Sequence, residues 1–407
     1  LNVLFRALDL PHAILAGMSE RVRVRLIAEQ SGGPWIFGRS VAPVDERPQD
    51  GDLVDVEDER GQHLGTGYWN GRSDVRVRLL SRGKKSDVRN EREFLLRKLA
   101  AADRLRRKTL RLPETTSAWR LCHAEGDDLP GLIVDHLGGA LVCEHHSLAF
   151  WQRRALIEEV LQELHPGAKV VHRVPKGAAD AEGFDPEEGP RDIGEVEIEE
   201  SGLKHLVAPG AGHKTGWFCD QRDNRLKVAQ YCRGQDVLDV CTNAGGFALQ
   251  AALSSAWRVR GVDLDEVVLE RARDGARRNK LTNVEFLHAD GFNVLREVAR
   301  QKERPGVVVI DPHKLIRSRA RDEEGLKKYS DWNSLAIAAV KPGGIVATFS
   351  CSGALDLPSW LGIVFRSARR AEREVRLLEI LGAGPDHPQR PDFARSRYLK
   401  GALLAVD

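Results

Sequence analysis

The chain has 407 residues, 42% of them hydrophobic, and a formal net charge of +2, enough for two or three domains with real cores. Its longest apolar runs, VVVI at 307–310 and GIVATF at 344–349, fall far short of the roughly 20 residues that span a bilayer, so no membrane partner is expected. Six cysteines, at 122, 143, 219, 232, 241 and 351, show no CxxC pairing, which argues against zinc and against a secreted disulfide scaffold and for a reducing, cytoplasmic setting.

In chain order, the first 17 residues, LNVLFRALDLPHAILAG, precede the only methionine, Met18. They lack the basic start and continuous apolar core of a signal peptide and read as vector-derived or misread-start sequence. Across 20–81, the β-type runs VRVRLI, SGGPWIFGRSV, GDLVDVEDERGQHLGTGYWN and VRVRLLS alternate with glycine turns, the spacing of a small β-barrel or sandwich. This first domain is expected over 18–85.

A helix is predicted at about 88–108, closed by Pro113. Strand-like WRLCHAEG and GLIVDHLGGALVCEHH, an amphipathic helix WQRRALIEEVLQEL and an extended VVHRVP follow, giving a compact α/β domain within 86–195. The acidic, Gly/Pro-bearing segment 177–194 reads as a long loop between domains. Charge is uneven here: residues 72–111 carry 15 Lys and Arg against 5 Asp and Glu, whereas 180–200 carries ten acids and one base, Arg191. The basic run is either the solvated face of a helix, with Phe94, Leu95, Lys98 and Leu99 at helical spacing, or a phosphate-tracking surface. On the second reading Arg82, Lys84, Lys85 and Arg89 are RNA contacts.

From about 196 to 407 strands and helices alternate, which predicts a parallel, doubly wound α/β sheet. DVLDVC at 236–241 opens into TNAGGF, and RVRGVDLD, VEFLHAD, GVVVIDP and GIVATFS are the next four strands. Asp239, Asp263, Asp290 and Asp311 fall at successive strand ends, where open α/β sheets bind ligands. Gly245 and Gly246 would let backbone approach a ligand closely, and Asp263 is placed to accept ribose hydroxyls. The plainer reading of any one of these acids is a helix cap. Cys351, between two serines at the end of the fifth strand, is either a small filler or a nucleophile.

The series VLDVCTNAGGF, GVDLD, HAD, IDPHK and TFSCSG resembles the motifs of class I S-adenosylmethionine-dependent methyltransferases. HKTGWFCDQRDNR (213–225), AEGDDLPGLIVDHLG (124–138), GTGYWN, DHP and YLKG narrow this. Over about residues 20–405 the chain resembles the bacterial large-subunit ribosomal RNA cytosine-5 methyltransferases with an N-terminal PUA domain.

The resemblance implies an α/β protein with a PUA β-barrel, a central α/β domain and a C-terminal Rossmann-like catalytic domain. Its cofactor would be S-adenosylmethionine and its partner 23S ribosomal RNA or a large-subunit assembly intermediate, with homodimerisation left open. It assigns Asp239, Asn243 and Gly245 to the methionine end of the cofactor, Asp263 to the ribose and Asp290 to the adenine amino group. Gln221 and Arg222 would close over cofactor or RNA, unless they are an ordinary helix start with Asp220 near the N-cap.

Cys351 would add to C6 of cytosine, making C5 enamine-like and able to attack the sulfonium methyl, while Asp311 hydrogen-bonds N3 or the exocyclic amine. One departure stands out: the second proline of the family's Asp-Pro-Pro motif is His313, followed by Lys314. That histidine is tolerated, takes part in base contact or proton removal, or marks drift of activity. Two alternatives remain, a ribosomal guanine methyltransferase on the same scaffold, which would need no thiol, and a catalytically lapsed RNA-binding or assembly protein.

Overall fold

The computed structural model describes residues 21–28, 32–44, 46–83, 88–186, 189–210, 215–316 and 322–407. The initial 17-residue segment, Lys84 and Lys85 lie outside the described residues. Near the N-terminus, β1 (Arg23–Arg25), β2 (Trp35–Phe37), β3 (Leu53–Glu57), β4 (His63–Trp69) and β5 (Val75–Arg82) form one sheet in the order β1-β3-β4-β5-β2. Alternation sends Val54, Val56, Val77 and Leu79 inward with Val24 and Ile36, as the period of a half-buried strand requires.

The middle of the chain begins with α1 (Glu91–Arg104), started by Asn90, whose side chain accepts from the Glu93 N–H, a standard N-cap. It extends through a π-turn at 105–109 and buries Phe94, Leu95, Leu99 and Ala102 on the sheet of β6 (Ala118–His123), β7 (Leu132–Leu137), β8 (Ala140–His145) and β9 (Lys169–Arg173). Between β8 and β9 the single helix expected from the sequence is two, α2 (Leu148–Gln152) and α3 (Arg154–Leu164). They break where Arg153 turns its guanidinium onto Glu91 at 2.8 Å.

The segment 177–194 corrects the sequence reading. Its first part is α4 (Lys176–Glu182), packed rather than a loop, because the buried Glu182 carboxylate takes hydrogen bonds from Arg78, Asn70, Ser73 and the Leu148 N–H. A hairpin of β10 (Val196–Glu200) and β11 (Leu203–Val207) then leads into the C-terminal part.

That part contains α5 (Arg222–Ala229), β12 (Asp236–Val240), α6 (Gly246–Leu253), β13 (Arg258–Asp263), α7 (Glu266–Arg278), β14 (Val284–His288), α8 (Gly291–Arg300), β15 (Val307–Ile310), α9 (Glu323–Ala339), β16 (Gly344–Ser350), α10 (Leu357–Arg370), β17 (Val375–Gly382) and β18 (Lys400–Val406). The sheet order is β14-β13-β12-β15-β16-β18-β17. β12 to β16 are the five parallel strands read from the sequence. β17 and β18 extend them as an antiparallel pair.

The 383–399 connection between β17 and β18 joins all three parts. Asp386, fully buried, receives both Arg222 guanidinium nitrogens at 3.0 and 3.1 Å, the Arg120 N–H of β6 at 3.0 Å and the His387 ring at 3.0 Å. Its own carbonyl takes the fully buried Arg106, which also grips Asp127 at 2.7 and 2.8 Å. Burial alone would raise the Asp386 carboxyl, yet His387 and Arg222 hold it well below the usual carboxylate range. Farther along, Asp392 accepts from the Gly33 N–H at 3.3 Å and Phe393 meets the Trp35 ring edge-on at 5.0 Å, so the same connection seats the N-terminal sheet.

Breaking a buried pair on one side leaves an uncompensated charge, at a cost of about 3–5 kcal/mol. Asp386→Asn should therefore lower the unfolding free energy measured in urea by an amount of that order, whereas Asp392→Asn at the exposed end should change it little. Equal unfolding free energies for Asp386→Asn and the parent would refute the hub.

Candidate active site

The carboxyl ends of β12 to β16 bring Cys241, Asp263, Asp290, Asp311 and Cys351 to one edge of the parallel sheet. After β12 the chain curls through left-handed conformations at Cys241 (φ 62°), Asn243 (φ 51°) and Gly245 (φ 79°). A Cβ on Gly245 would also stand 3.0 Å from the Phe286 ring and the Ala272 methyl, so both the turn and the close packing require glycine. Asp239 holds this loop: its Oδ2 accepts from the Thr242 hydroxyl and, at 3.0 Å, from the Ala248 N–H of α6. Its Oδ1 is buried and accepts no hydrogen bond among the described residues, and burial pushes the carboxyl up to about 7.

Asp263, at the end of β13, has each oxygen on a backbone N–H, Asn243 at 2.9 Å and Asp265 at 3.1 Å, which fixes the carboxylate while leaving further lone pairs for hydroxyl donors. Asp290 caps α8 through Oδ1 and the Asn293 N–H at 2.9 Å, so the plain capping role holds for one of its oxygens. Around these acids Leu264, Val267 and Leu287 expose apolar surface, Leu264 and Val267 to 64% and 65%. A buried acceptor without a donor, two ordered carboxylates and an apolar rim fit an amine, a ribose and a flat heteroaromatic ring in that order along the edge.

The second half of the edge is built by β15, β16 and α9. Asp311 follows β15 and accepts from the Gln221 side-chain amide at 2.9 Å; Asn224 donates in turn to the Gln221 oxygen at 2.6 Å. Gln221 is buried, so the structure brings it to Asp311, and Arg222 to Asp386. Asp220 is likewise buried and receives the Tyr398 hydroxyl at 2.6 Å.

The serines flanking Cys351 are fully buried and clamp its loop. Ser350 and Ser352 both bond the Tyr329 hydroxyl at 2.8 Å, and the Ser352 hydroxyl accepts from the Ile316 N–H at 3.2 Å. Ile316 follows Asp311 in the segment after β15, so this hydroxyl ties the cysteine loop to the aspartate loop. Cys351 itself is half-buried, whereas Cys122, Cys143, Cys219 and Cys232 are buried. Burial pushes the thiols of all four and of Cys241 upward, which leaves them protonated and inert. His313 and Lys314 are exposed beside Asp311.

The basic run behaves differently in space than along the chain. Arg106 and Arg78 are buried on Asp127 and Glu182. Arg92 is shared between Glu159 and Glu163, and Lys98 pairs with Asp128 at 2.7 Å. Arg89 remains on the surface. Arg82 lies near Asp392 at 3.9 Å and lines a cleft of about 220 Å³ with Pro34, Arg97, Lys98 and Arg390. Thr242, Tyr329, Ser352 and Lys400 are not singled out from the sequence; the serine pair around Cys351 and the YLKG stretch signal the last two, and nothing local signals the others.

The family model of a PUA-like domain matches residues 28–82, and that of an S-adenosylmethionine-dependent methyltransferase matches residues 186–325. Ribosomal RNA large subunit methyltransferase I of Aeromonas salmonicida is 35% identical over 377 residues, 91% of this chain and 94% of that protein. Its namesake from Photobacterium profundum is 34% identical over 380 residues, 92% and 95% of the two chains. Among solved structures, a Streptococcus mutans protein described as a SAM-dependent methyltransferase superposes with a TM-score of 0.78 over 94% of this chain and 100% of its own, at 18% identity. A methyltransferase complexed with SAH gives 0.79 over 94% and 99%, at 19% identity. Both share the fold.

If Asp239 receives the cofactor's amine, its raised carboxyl gives binding a pH signature. A carboxyl raised to about 7 is partly protonated in the free protein at neutral pH, and a cationic amine arriving at Oδ1 favours its ionised form. S-adenosylmethionine binding should release a proton near pH 6.5 and tighten as pH rises toward about 7, before the ligand's own α-amine begins to lose its charge. Calorimetry in two buffers of different ionisation enthalpy reads the proton. Asp239→Asn should bind more weakly and release none; wild-type binding without proton release would disprove the assignment.

Proposed function

The chain belongs to the ribosomal RNA large subunit methyltransferase I family, and from that premise we propose that it methylates C5 of a cytosine in 23S ribosomal RNA through a covalent adduct to Cys351. S-adenosylmethionine supplies the electrophilic methyl group. C5 of cytosine is too weak a nucleophile to take it unaided. The Cys351 thiolate adds to C6, the C4–C5–C6 system becomes an enamine, and C5 bonds the methyl carbon. Removal of the C5 proton then expels the thiolate and restores the aromatic ring. Asp311, steadied by Gln221, is aimed to hydrogen-bond N3 or the exocyclic amine and so to stabilise the adduct.

One observation carries this reading: the Ser352 hydroxyl joins the Cys351 loop to the Asp311 loop, on the sheet edge that also carries the cofactor acids. A guanine methyltransferase would have no use for a half-buried thiol fastened in that way. His313, exposed in the proline position, is tolerated on this reading, because the loop is held from below by Ser352 rather than by ring stiffness.

RNA carrying 5-fluorocytidine at the target position tests the chemistry, since fluorine blocks the final proton removal. A methylated protein–RNA adduct that survives denaturing electrophoresis should form with wild type and with Cys241→Ala, and be absent with Cys351→Ala, which should still bind S-adenosylmethionine with nearly unchanged affinity. Near-normal methylation by Cys351→Ala would eliminate the C5 route.

RNA affinity should also fall steeply with salt, and Arg82→Glu with Arg89→Glu should flatten that slope by roughly one for each phosphate no longer neutralised. An unchanged slope would reduce those arginines to a solvated face.

A further inference from the structure

Lys400 is the first residue of β18 and stands opposite Ser350 in the β16–β18 register. It is only 4% exposed. Its Nζ donates to the Ser352 carbonyl at 2.8 Å and to the Tyr398 carbonyl at 2.7 Å. Both neighbours of Cys351 are thus tied to one lysine, Ser350 through the strand pairing and Ser352 through its carbonyl.

Carbonyl oxygens satisfy the donors of an ammonium but not its charge, and a buried charge without an opposite one is costly. Among the described residues no carboxylate forms an ion pair with Lys400. Burial lowers it to about 8; Cys351 is the first charge that opposes this, Asp356 the second, and Lys314 of the Asp311 loop acts in the same direction as burial. Tyr329, the titratable group that α9 brings to this loop, is pushed up by burial and remains a neutral hydroxyl. Cys351 is thus the foremost group able to balance the ammonium.

We propose that Lys400 is a positioning residue for Cys351: its ammonium holds the cysteine loop through the Ser352 carbonyl, is itself steadied by the Tyr398 carbonyl, and is the counter-charge that keeps the sulfur a thiolate. This rests on the reading of Cys351 as the nucleophile. The thiol proton leaves to water, Lys400 stays protonated, and the thiolate is ready for C6 before RNA arrives. The placement also explains why a lysine occupies a buried strand start, where a hydrophobic side chain would pack at lower cost.

The test reads the thiol directly, in the full chain without RNA. Alkylation of Cys351 by iodoacetamide is followed by peptide mass mapping from pH 5.5 to 9.5. In wild type the half-rise should lie below about 8.5, the value of an unperturbed cysteine. Lys400→Gln keeps donors for the two carbonyls and removes the charge. It should move the half-rise up by about one unit and slow alkylation at pH 7 about tenfold, while Lys400→Arg should keep the wild-type profile.

A Lys400→Gln profile that superposes on wild type would overturn the proposal, and so would a wild-type half-rise at the unperturbed value, which needs no variant to fold. Alkylation requires neither RNA nor methyl transfer. A low wild-type half-rise without any 5-fluorocytidine adduct would therefore reject the C5 chemistry and leave the ion pair standing.

Discussion

Asp386 has no exposed surface, yet three parts of the chain meet on it: Arg222 from the start of α5, the β6 backbone at Arg120, and Arg106 from the π-turn that ends α1. A charge so placed is tolerable only while each partner is present. That requirement fixes the orientation of the central sheet against the catalytic one. It also fixes the residues that flank the hub. Immediately before Arg222, Asp220 and Gln221 reach Tyr398 and Asp311; after Asp386, the same connection passes Phe393 against Trp35 and returns through Tyr398 and Lys400 to the cysteine loop.

The active edge divides into two electrostatic regimes. Toward β12 to β14 the acids are ordered by backbone N–H groups, and Asp239 Oδ1 takes no hydrogen bond among the described residues. Toward β15 and β16 a buried hydroxyl network of Ser350, Ser352 and Tyr329 replaces charge with fixed geometry, and the buried Lys400 side chain underlies the cysteine loop. Burial pushes the other five thiols upward and so keeps them protonated.

Charge along the chain proved a poor guide to charge on the surface. Much of the basic run is consumed by acids far away in sequence: Arg78 by Glu182, Arg106 by Asp127, Arg92 by α3. What faces outward is a smaller set that includes Arg82 and Arg89.

The sequence by itself determined the parallel strands β12 to β16, the acids at their ends and the strand-end place of Cys351, because apolar runs, glycine turns and strand-end positions are local signals that need no partner to be read. It also carried the N-terminal β pattern, whose alternation is local in the same way. Only the tertiary structure decided that 177–182 is packed rather than loop, that β17 and β18 complete the sheet, that Gln221 serves Asp311 and that Lys400 lies beneath the Cys351 loop. Each of these depends on groups far apart in the chain, Lys400 and Ser352 by 48 residues, Gln221 and Asp311 by 90, Glu182 and Arg78 by 104. A buried polar side chain is specified by the partner that satisfies it, and no periodicity along the sequence encodes which partner that will be.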